Sequence, residues 1–305
     1  MRITLTPPAP FRLDLTALAL RRDAANVVDR WRPPTYRRVF APDGAAFEVV
    51  VQQHAPTEEP RLTVDVLGPE GVYPTQQVAA LLSAVLGLDL DLGAFYAAAA
   101  NDDPLAELAR RFAGLRPPLL PTVFEALVSG VACQQLSLAV GMRLLARLAA
   151  AYGAEHEGHH AFPRPEDLSS AEPQHLRAMG FSLRKSETIL HLAGAATEGR
   201  LDLESLRGVD TGTAVANLMD LPGIGRWTAH YVALRGLGRL EVFPVDDVGA
   251  QNKLQDVLGL EQRPGSEETR RIVDRWGAYQ GFLYFHLLLD GLERRGMLDP
   301  VEPST

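Results

Sequence analysis

The stretch Leu218-Met219-Asp220-Leu221-Pro222-Gly223-Ile224-Gly225-Arg226-Trp227-Thr228-Ala229 decides the fold. Helical periodicity runs from Thr211 to Met219 and resumes from Arg226 to about Gly236. Between the two, Pro222 cannot continue a helix, and Gly223 and Gly225 permit a positive φ and close approach by another backbone. The second helix opens just past Gly225. Its unpaired N–H groups and positive dipole end therefore face outward from a bare, glycine-lined turn, which suits a phosphate. Taken singly, the same residues would also make a tight corner inside an all-α domain.

On both sides of this turn the helical pattern persists. Apolar periodicity predicts helices over 124–131, 138–152, 171–179 and 183–197 before it, and over 247–258, 267–276 and 279–294 after it. Short connections bearing Gly, Pro or Asp separate them, as in a compact bundle. No fixed-period repeat is present, which excludes a solenoid. The lone cysteine, Cys133, sits in an apolar run and reads as a buried small hydrophobe. With one cysteine, a disulfide framework or a cysteine-ligated cluster within the chain is excluded.

Further towards the N-terminus the period changes. Ala46-Phe47-Glu48-Val49-Val50-Val51 and Arg61-Leu62-Thr63-Val64-Asp65-Val66 alternate as half-buried strands do, and Arg2-Ile3-Thr4-Leu5-Thr6 reads as a third. Helices fit within 14–28 and 76–86. The order predicts a small α+β domain on a mostly antiparallel sheet over residues 1–93, followed by an all-α, two-lobed region over 94–305. The fold class is thus α+β, mostly α. The basic residues Arg30, Arg32, Arg37 and Arg38 read as a solvated loop, with contact to a polyanion as the alternative.

The 305 residues carry 30 Lys plus Arg against 38 Asp plus Glu, a net charge of −8. That balance counts against electrostatic wrapping of nucleic acid, though not against local contacts made through backbone amides. No stretch reaches the ~18 uncharged apolar residues of a membrane span. The N-terminus lacks the basic and apolar regions of a signal peptide. These features predict a soluble, cytoplasmic chain. His156-Glu157-Gly158-His159-His160 matches the zinc-protease string H-E-x-x-H literally. It follows Tyr152-Gly153 at a helix end, contains Gly158 and runs into Pro163, so it reads as a polar surface loop.

The string Leu-Pro-Gly-Ile-Gly followed by Trp-Thr-Ala resembles the hairpin of the helix-hairpin-helix DNA glycosylases, here at about 211–236. Met179-Gly180-Phe181-Ser182-Leu183-Arg184-Lys185-Ser186, Trp227-Thr228-Ala229-His230-Tyr231, and Phe243 followed by Asp246-Asp247 are similar to the 3-methyladenine DNA glycosylase II branch. Spacing alone leaves Asp246 and Asp247 equivalent, and either could merely cap the following helix. The family pattern selects Asp247, twenty residues after Trp227, as the catalytic acid. The resemblance also implies a base pocket lined by Trp227 and Tyr231, and DNA contacts from Gly223, Gly225, Arg226 and Thr228. It further implies that Gln135 inserts into the duplex, although close bacterial relatives tend to carry Leu there. No cofactor is implied. A monovalent cation, sodium or potassium, on the backbone carbonyls of Met219, Leu221 and Ile224 is.

Family members that also cut the strand carry a lysine at the position of Trp227, and an indole cannot form that Schiff base. The resemblance therefore implies a monofunctional, monomeric glycosylase. It would flip alkylated bases of the 3-methyladenine and 7-methylguanine type out of double-stranded DNA and release them by hydrolysis. The alternatives are a glycosylase for an oxidised or deaminated base, and a non-catalytic hairpin module that only binds DNA. Trp276-Gly277-Ala278-Tyr279-Gln280 lacks the family's Pro and Arg, and Leu287-Leu288-Leu289 stands where a pocket aromatic is expected. One pocket wall should accordingly be smaller or more open.

Overall fold

A computed structural model describes residues 1–69, 71 and 73–298. The N-terminal part is a five-stranded antiparallel sheet built from β1 (Arg2–Leu5), β2 (Arg30–Arg32), β3 (Thr35–Phe40), β4 (Phe47–Gln53) and β5 (Leu62–Leu67) in the order β1-β5-β4-β3-β2. Val49 pairs with Val66 and Val51 with Val64, so Val49, Val51 and Val64 share one face and are fully buried. Helix α1 (Leu13–Arg21) packs against β2 and β3, and α2 (Thr75–Leu86) against β1.

The segment read as a solvated basic loop is the β2–β3 hairpin, and this is a correction. Tyr36, Arg38 and Phe40 alternate inward on β3, and all three are buried. Arg38 is inside because carboxylates meet it there: Nη1 donates to Asp29 at 2.7 Å, and Nη2 donates to Glu125 at 2.7 and 2.6 Å. The Tyr36 hydroxyl adds a 2.9 Å hydrogen bond to Asp29. Arg30 and Arg37 both pair with the buried Glu48.

The remaining helices are α3 (Gly93–Ala99), α4 (Asp103–Arg111), α5 (Val123–Cys133), α6 (Leu138–Tyr152), α7 (Pro173–Ala178), α8 (Leu183–Thr197), α9 (Thr211–Met219), α10 (Arg226–Arg235), α11 (Val248–Leu258), α12 (Ser266–Val273) and α13 (Gln280–Glu293). Thr122, Ser137, Ser182, Asp210 and Asp247 each cap a helix by accepting from a backbone N–H of its first turn. All eleven residues of α5 are buried, and α10, α6 and α8 pack around it.

The apolar cores do not divide at residue 93. One core joins the sheet, α1 to α4 and the C-terminal helices through α13; the other is formed by residues between Leu120 and Leu237. The chain enters the second lobe after Leu115 and returns to the first after α10, because the apolar side of α13 packs on α1, α4 and α11. The H-E-x-x-H string forms the two-stranded hairpin β6 (Glu155–His156) and β7 (His159–His160), which cannot present the two histidines from one helix face. Among the described residues no cluster of three metal-ligating side chains occurs, and no helix is long and apolar enough to cross a membrane.

Candidate active site

The site lies where the two lobes meet, and the hairpin forms one edge of it. Only Gly223 uses the left-handed region, at φ +80°. A Cβ there would stand 2.3 Å from Thr188 Oγ1, so the turn closes tightly on α8. Gly225 has extended φ and ψ of −100° and 177°, and a Cβ built on it meets nothing within 4 Å. The first bond of α10 runs from Ala229 N–H to Gly225 O at 2.9 Å, leaving the N–H groups of Arg226, Trp227 and Thr228 without backbone partners.

Opposite the hairpin is the loop between α5 and α6. Gln134 Nε2 donates to Gly223 O and to Thr228 Oγ1, both at 3.0 Å, tying loop to hairpin. Lys185 Nζ donates to the carbonyls of Ala132 and Gln134 at 2.9 and 2.7 Å, which fixes the end of α5. Between these anchors Gln135 is exposed at φ +54°, a conformation rare outside glycine. A strained, protruding side chain on an anchored loop suits a wedge. The cleft between loop and hairpin measures about 610 Å³ and includes Gln135, Arg184, Gly225, Trp227 and both aspartates in its lining.

The two aspartates separate by partner. Arg226 forks onto Asp246, with Nε and Nη2 donating to the two carboxylate oxygens at 2.6 and 2.7 Å. These hydrogen bonds hold the Asp246 carboxyl below the usual carboxylate range. Asp247 does cap α11, its Oδ1 accepting from Ala250 N–H at 2.9 Å, but its Oδ2 accepts from the Tyr284 hydroxyl at 3.1 Å, and the residue lines both the cleft and the recess behind it. Burial, and next the charge of Asp247, push the Tyr284 phenol well above its ordinary value, so it remains a donor. Capping and the bond to Tyr284 are therefore made by different oxygens of one side chain.

Behind Asp247 the cleft continues into a recess of about 330 Å³, whose lining includes Arg22, Trp227, Lys253, Tyr284, Leu287 and Leu288. Both volumes fall within the range of small-ligand sites, about 300–1,000 Å³. Leu287 and Leu288 do occupy the wall where the sequence lacks an aromatic. Trp227 lies on both the cleft and the recess.

Two sequence expectations are corrected. Tyr231 lines neither space: it is fully buried behind Trp227, stacked at 5.6 Å and 24°, with its hydroxyl accepting from Arg22 Nη1 at 2.6 Å. The i, i+4 spacing placed both rings on one face without giving their depth. Thr228 is 1% exposed and its hydroxyl accepts from Gln134, so its side chain is not available to DNA. Arg226 is exposed but engaged with Asp246. Met219, Leu221 and Ile224 lie on one turn. The Leu221 carbonyl accepts from Ile224 N–H at 3.1 Å, while the Met219 and Ile224 carbonyls take no backbone hydrogen bond.

Sequence reasoning missed Arg22, Lys253 and Tyr284. Tyr284 carried a usable signal, since it precedes Leu287 and Leu288 by one helical turn; Arg22, at the end of α1, carried none.

Because Gly225 is bare on the protein side, Gly225→Asp should leave thermal stability unchanged and weaken duplex binding. Losing amide contacts to a phosphate corresponds to about 10- to 100-fold. Fluorescence anisotropy with a labelled duplex checks this, and unchanged affinity would remove the hairpin from the DNA interface.

The model of the HhH-GPD superfamily of base excision DNA repair proteins matches residues 128–278, from within α5 to just before α13. The chain is 32% identical to a DNA-3-methyladenine glycosylase of Bacillus subtilis over 219 residues, 70% of this chain and 72% of that protein. It is 35% identical to DNA-3-methyladenine glycosylase 2 of Escherichia coli over 186 residues, 60% and 63% of the two chains. Among solved structures, the 3-methyladenine DNA glycosylase of Archaeoglobus fulgidus superposes with a TM-score of 0.80 at 27% identity, covering 98% of this chain and all of that one. With the hairpin, the anchored loop and the second aspartate in place, the chain belongs to the HhH-GPD superfamily of base excision DNA repair proteins.

Proposed function

We propose that the protein is a monofunctional DNA glycosylase that flips alkylated bases from duplex DNA and releases them by hydrolysis. The observation that carries this reading is the second oxygen of Asp247, which accepts from Tyr284 where the cleft opens into a base-sized recess. The names of its relatives, 3-methyladenine glycosylases at 32–35% identity, support the substrate class.

In this mechanism the hairpin amides hold a backbone phosphate beside the lesion, and Gln135 enters the gap left in the duplex. Trp227 stacks on the extruded base; an electron-poor alkylated ring favours an aromatic face. As the glycosidic bond breaks, positive charge grows on the sugar. The Asp247 carboxylate stabilises that charge and can orient the attacking water. A cationic alkylated base departs readily, so the site needs no strong acid for it. The Met219, Leu221 and Ile224 carbonyls would hold a monovalent cation that adds positive charge beside the phosphate. The enzyme works as a monomer on intracellular DNA.

The test is strand integrity on methylated duplex. The expected product is an abasic strand that breaks only on alkali treatment, with nothing trapped covalently by borohydride, because Trp227 supplies no amine. Breakage without alkali, or no alkali-sensitive sites, would overturn the reading.

A further inference from the structure

The loop that carries Gln135 is held by more bonds than a surface turn requires. Cys133 to Leu136 form a tight turn: Gln134 has φ −52° and ψ 127°, Gln135 follows at φ +54°, and Leu136 N–H donates to the Cys133 carbonyl at 3.3 Å. Those angles and that bond match a type II turn, whose third position favours glycine. Here it holds glutamine, so the loop is strained and depends on its surroundings to stay so. Three supports meet behind it. The Gln134 amide spends both N–H groups inside the protein, on Gly223 O in the hairpin and on Thr228 Oγ1 of α10, each at 3.0 Å. Lys185 Nζ, from α8, donates to the carbonyls of Ala132 and of Gln134 itself at 2.9 and 2.7 Å, and its charge strengthens both bonds. The helices around the turn also pack closely. A Cβ on Gly130 would stand 2.8 Å from Thr228 Cγ2, and one on Gly141 would stand 2.5 Å from Cys133 Sγ, so α5, α6 and α10 leave the turn no room to slide.

We propose that Gln134 is a positioning residue that couples the hairpin to the wedge: a phosphate held on the hairpin amides fixes, through Gln134, the point at which Gln135 enters the base stack. The proposal rests on the glycosylase reading of this site and on Gln135 as its wedge. Opening a base pair costs unpairing and unstacking energy. A wedge offsets that cost best when it is already in place as the nucleotide leaves, whereas a free loop would first lose its own conformational entropy. Gln134 meets both needs. Its side chain is bonded to the hairpin, its carbonyl is bonded to α8, and the next residue along the chain is the strained Gln135. With its amide donors consumed internally, it acts on DNA through Gln135 and takes no part in breaking the glycosidic bond.

The experiment measures single-turnover release of 7-methylguanine from two duplexes. In one the lesion lies opposite cytosine; in the other it lies opposite a tetrahydrofuran abasic analogue, where no pair has to be opened. The proteins are wild type, Gln134→Met, Gln135→Ala and the double variant. Methionine fills nearly the same volume as glutamine without the two N–H donors. Gln134→Met should lose about tenfold or more on the paired lesion relative to the unpaired one, the scale of losing two hydrogen bonds. It should add little to Gln135→Ala, because residues that act through one contact are not additive. Equal loss on both duplexes, as a purely structural role would give, would overturn the proposal. So would no loss on either, or losses that multiply in the double variant. A wild type that releases 7-methylguanine from neither duplex would instead refute the glycosylase reading.

Discussion

Asp247→Asn should cut base release by about 10²–10³-fold or more, the usual cost of removing a preorganised group facing developing charge. The fold should survive, because asparagine caps a helix about as well as aspartate. The bond from Ala250 N–H to Oδ1 can persist, and the amide NH2 that replaces Oδ2 can donate to the Tyr284 hydroxyl oxygen. What is lost is the negative charge beside the sugar. Asp246→Asn is the internal control. It weakens the fork from Arg226, a pair whose side chains are 45% and 20% exposed, and such pairs are worth up to about 1 kcal/mol. Its effect on release should stay within about tenfold. Single-turnover kinetics with matched binding measurements check both variants. A fully active Asp247→Asn beside an inactive Asp246→Asn would reverse the assignment.

The largest expected stability effect is far from the chemistry. Arg38→Leu removes the cation that Asp29 and Glu125 share and leaves two carboxylates buried without it. Breaking such a cluster by deleting one partner costs about 3–5 kcal/mol, because burial of the remaining charges goes uncompensated. Against a total stability of about 5–15 kcal/mol, that is a substantial fraction. The cluster joins the sheet hairpin to α5, the buried centre of the other lobe, so the loss should appear as loosened lobes. Urea denaturation monitored by tryptophan fluorescence measures it. A change below about 1 kcal/mol would mean that the cluster contributes no more than an exposed pair.

The helices of the hairpin lobe were legible in the sequence almost to the residue. α6, α8 and α9 begin after Ser137, Ser182 and Asp210, residue types that compete with the backbone outside helices and cap it at helix starts. The β2–β3 hairpin was not, since Arg38 occupies an inward position between Tyr36 and Phe40 and breaks the apolar alternation. Its partner Glu125 lies 87 residues away, beyond any local pattern. The extent of the first core was not legible for a related reason: α2 to α4 look like the start of the helical region, but they share a core with the sheet and with α13.

At the site, spacing identified the aspartate pair and could not choose within it. The family pattern selected Asp247; in the structure the Arg226 guanidinium takes Asp246, while Asp247 accepts from Tyr284 and lines both the cleft and the recess. The recess was the least legible part. Its walls come from the end of α1, the α5–α6 segment, α10, α11 and α13, and Arg22 and Tyr284 are contributed by opposite ends of the chain. No window of sequence contains both.

The central claim is that a flipped, alkylated base is cut from its sugar beside Asp247. Chromatography of the material freed from methylated duplex DNA tests it most directly. The account predicts free 3-methyladenine and 7-methylguanine from wild type, and neither above background from Asp247→Asn at equal DNA occupancy. Equal release by the two proteins, or none from wild type bound to the same DNA, would contradict it.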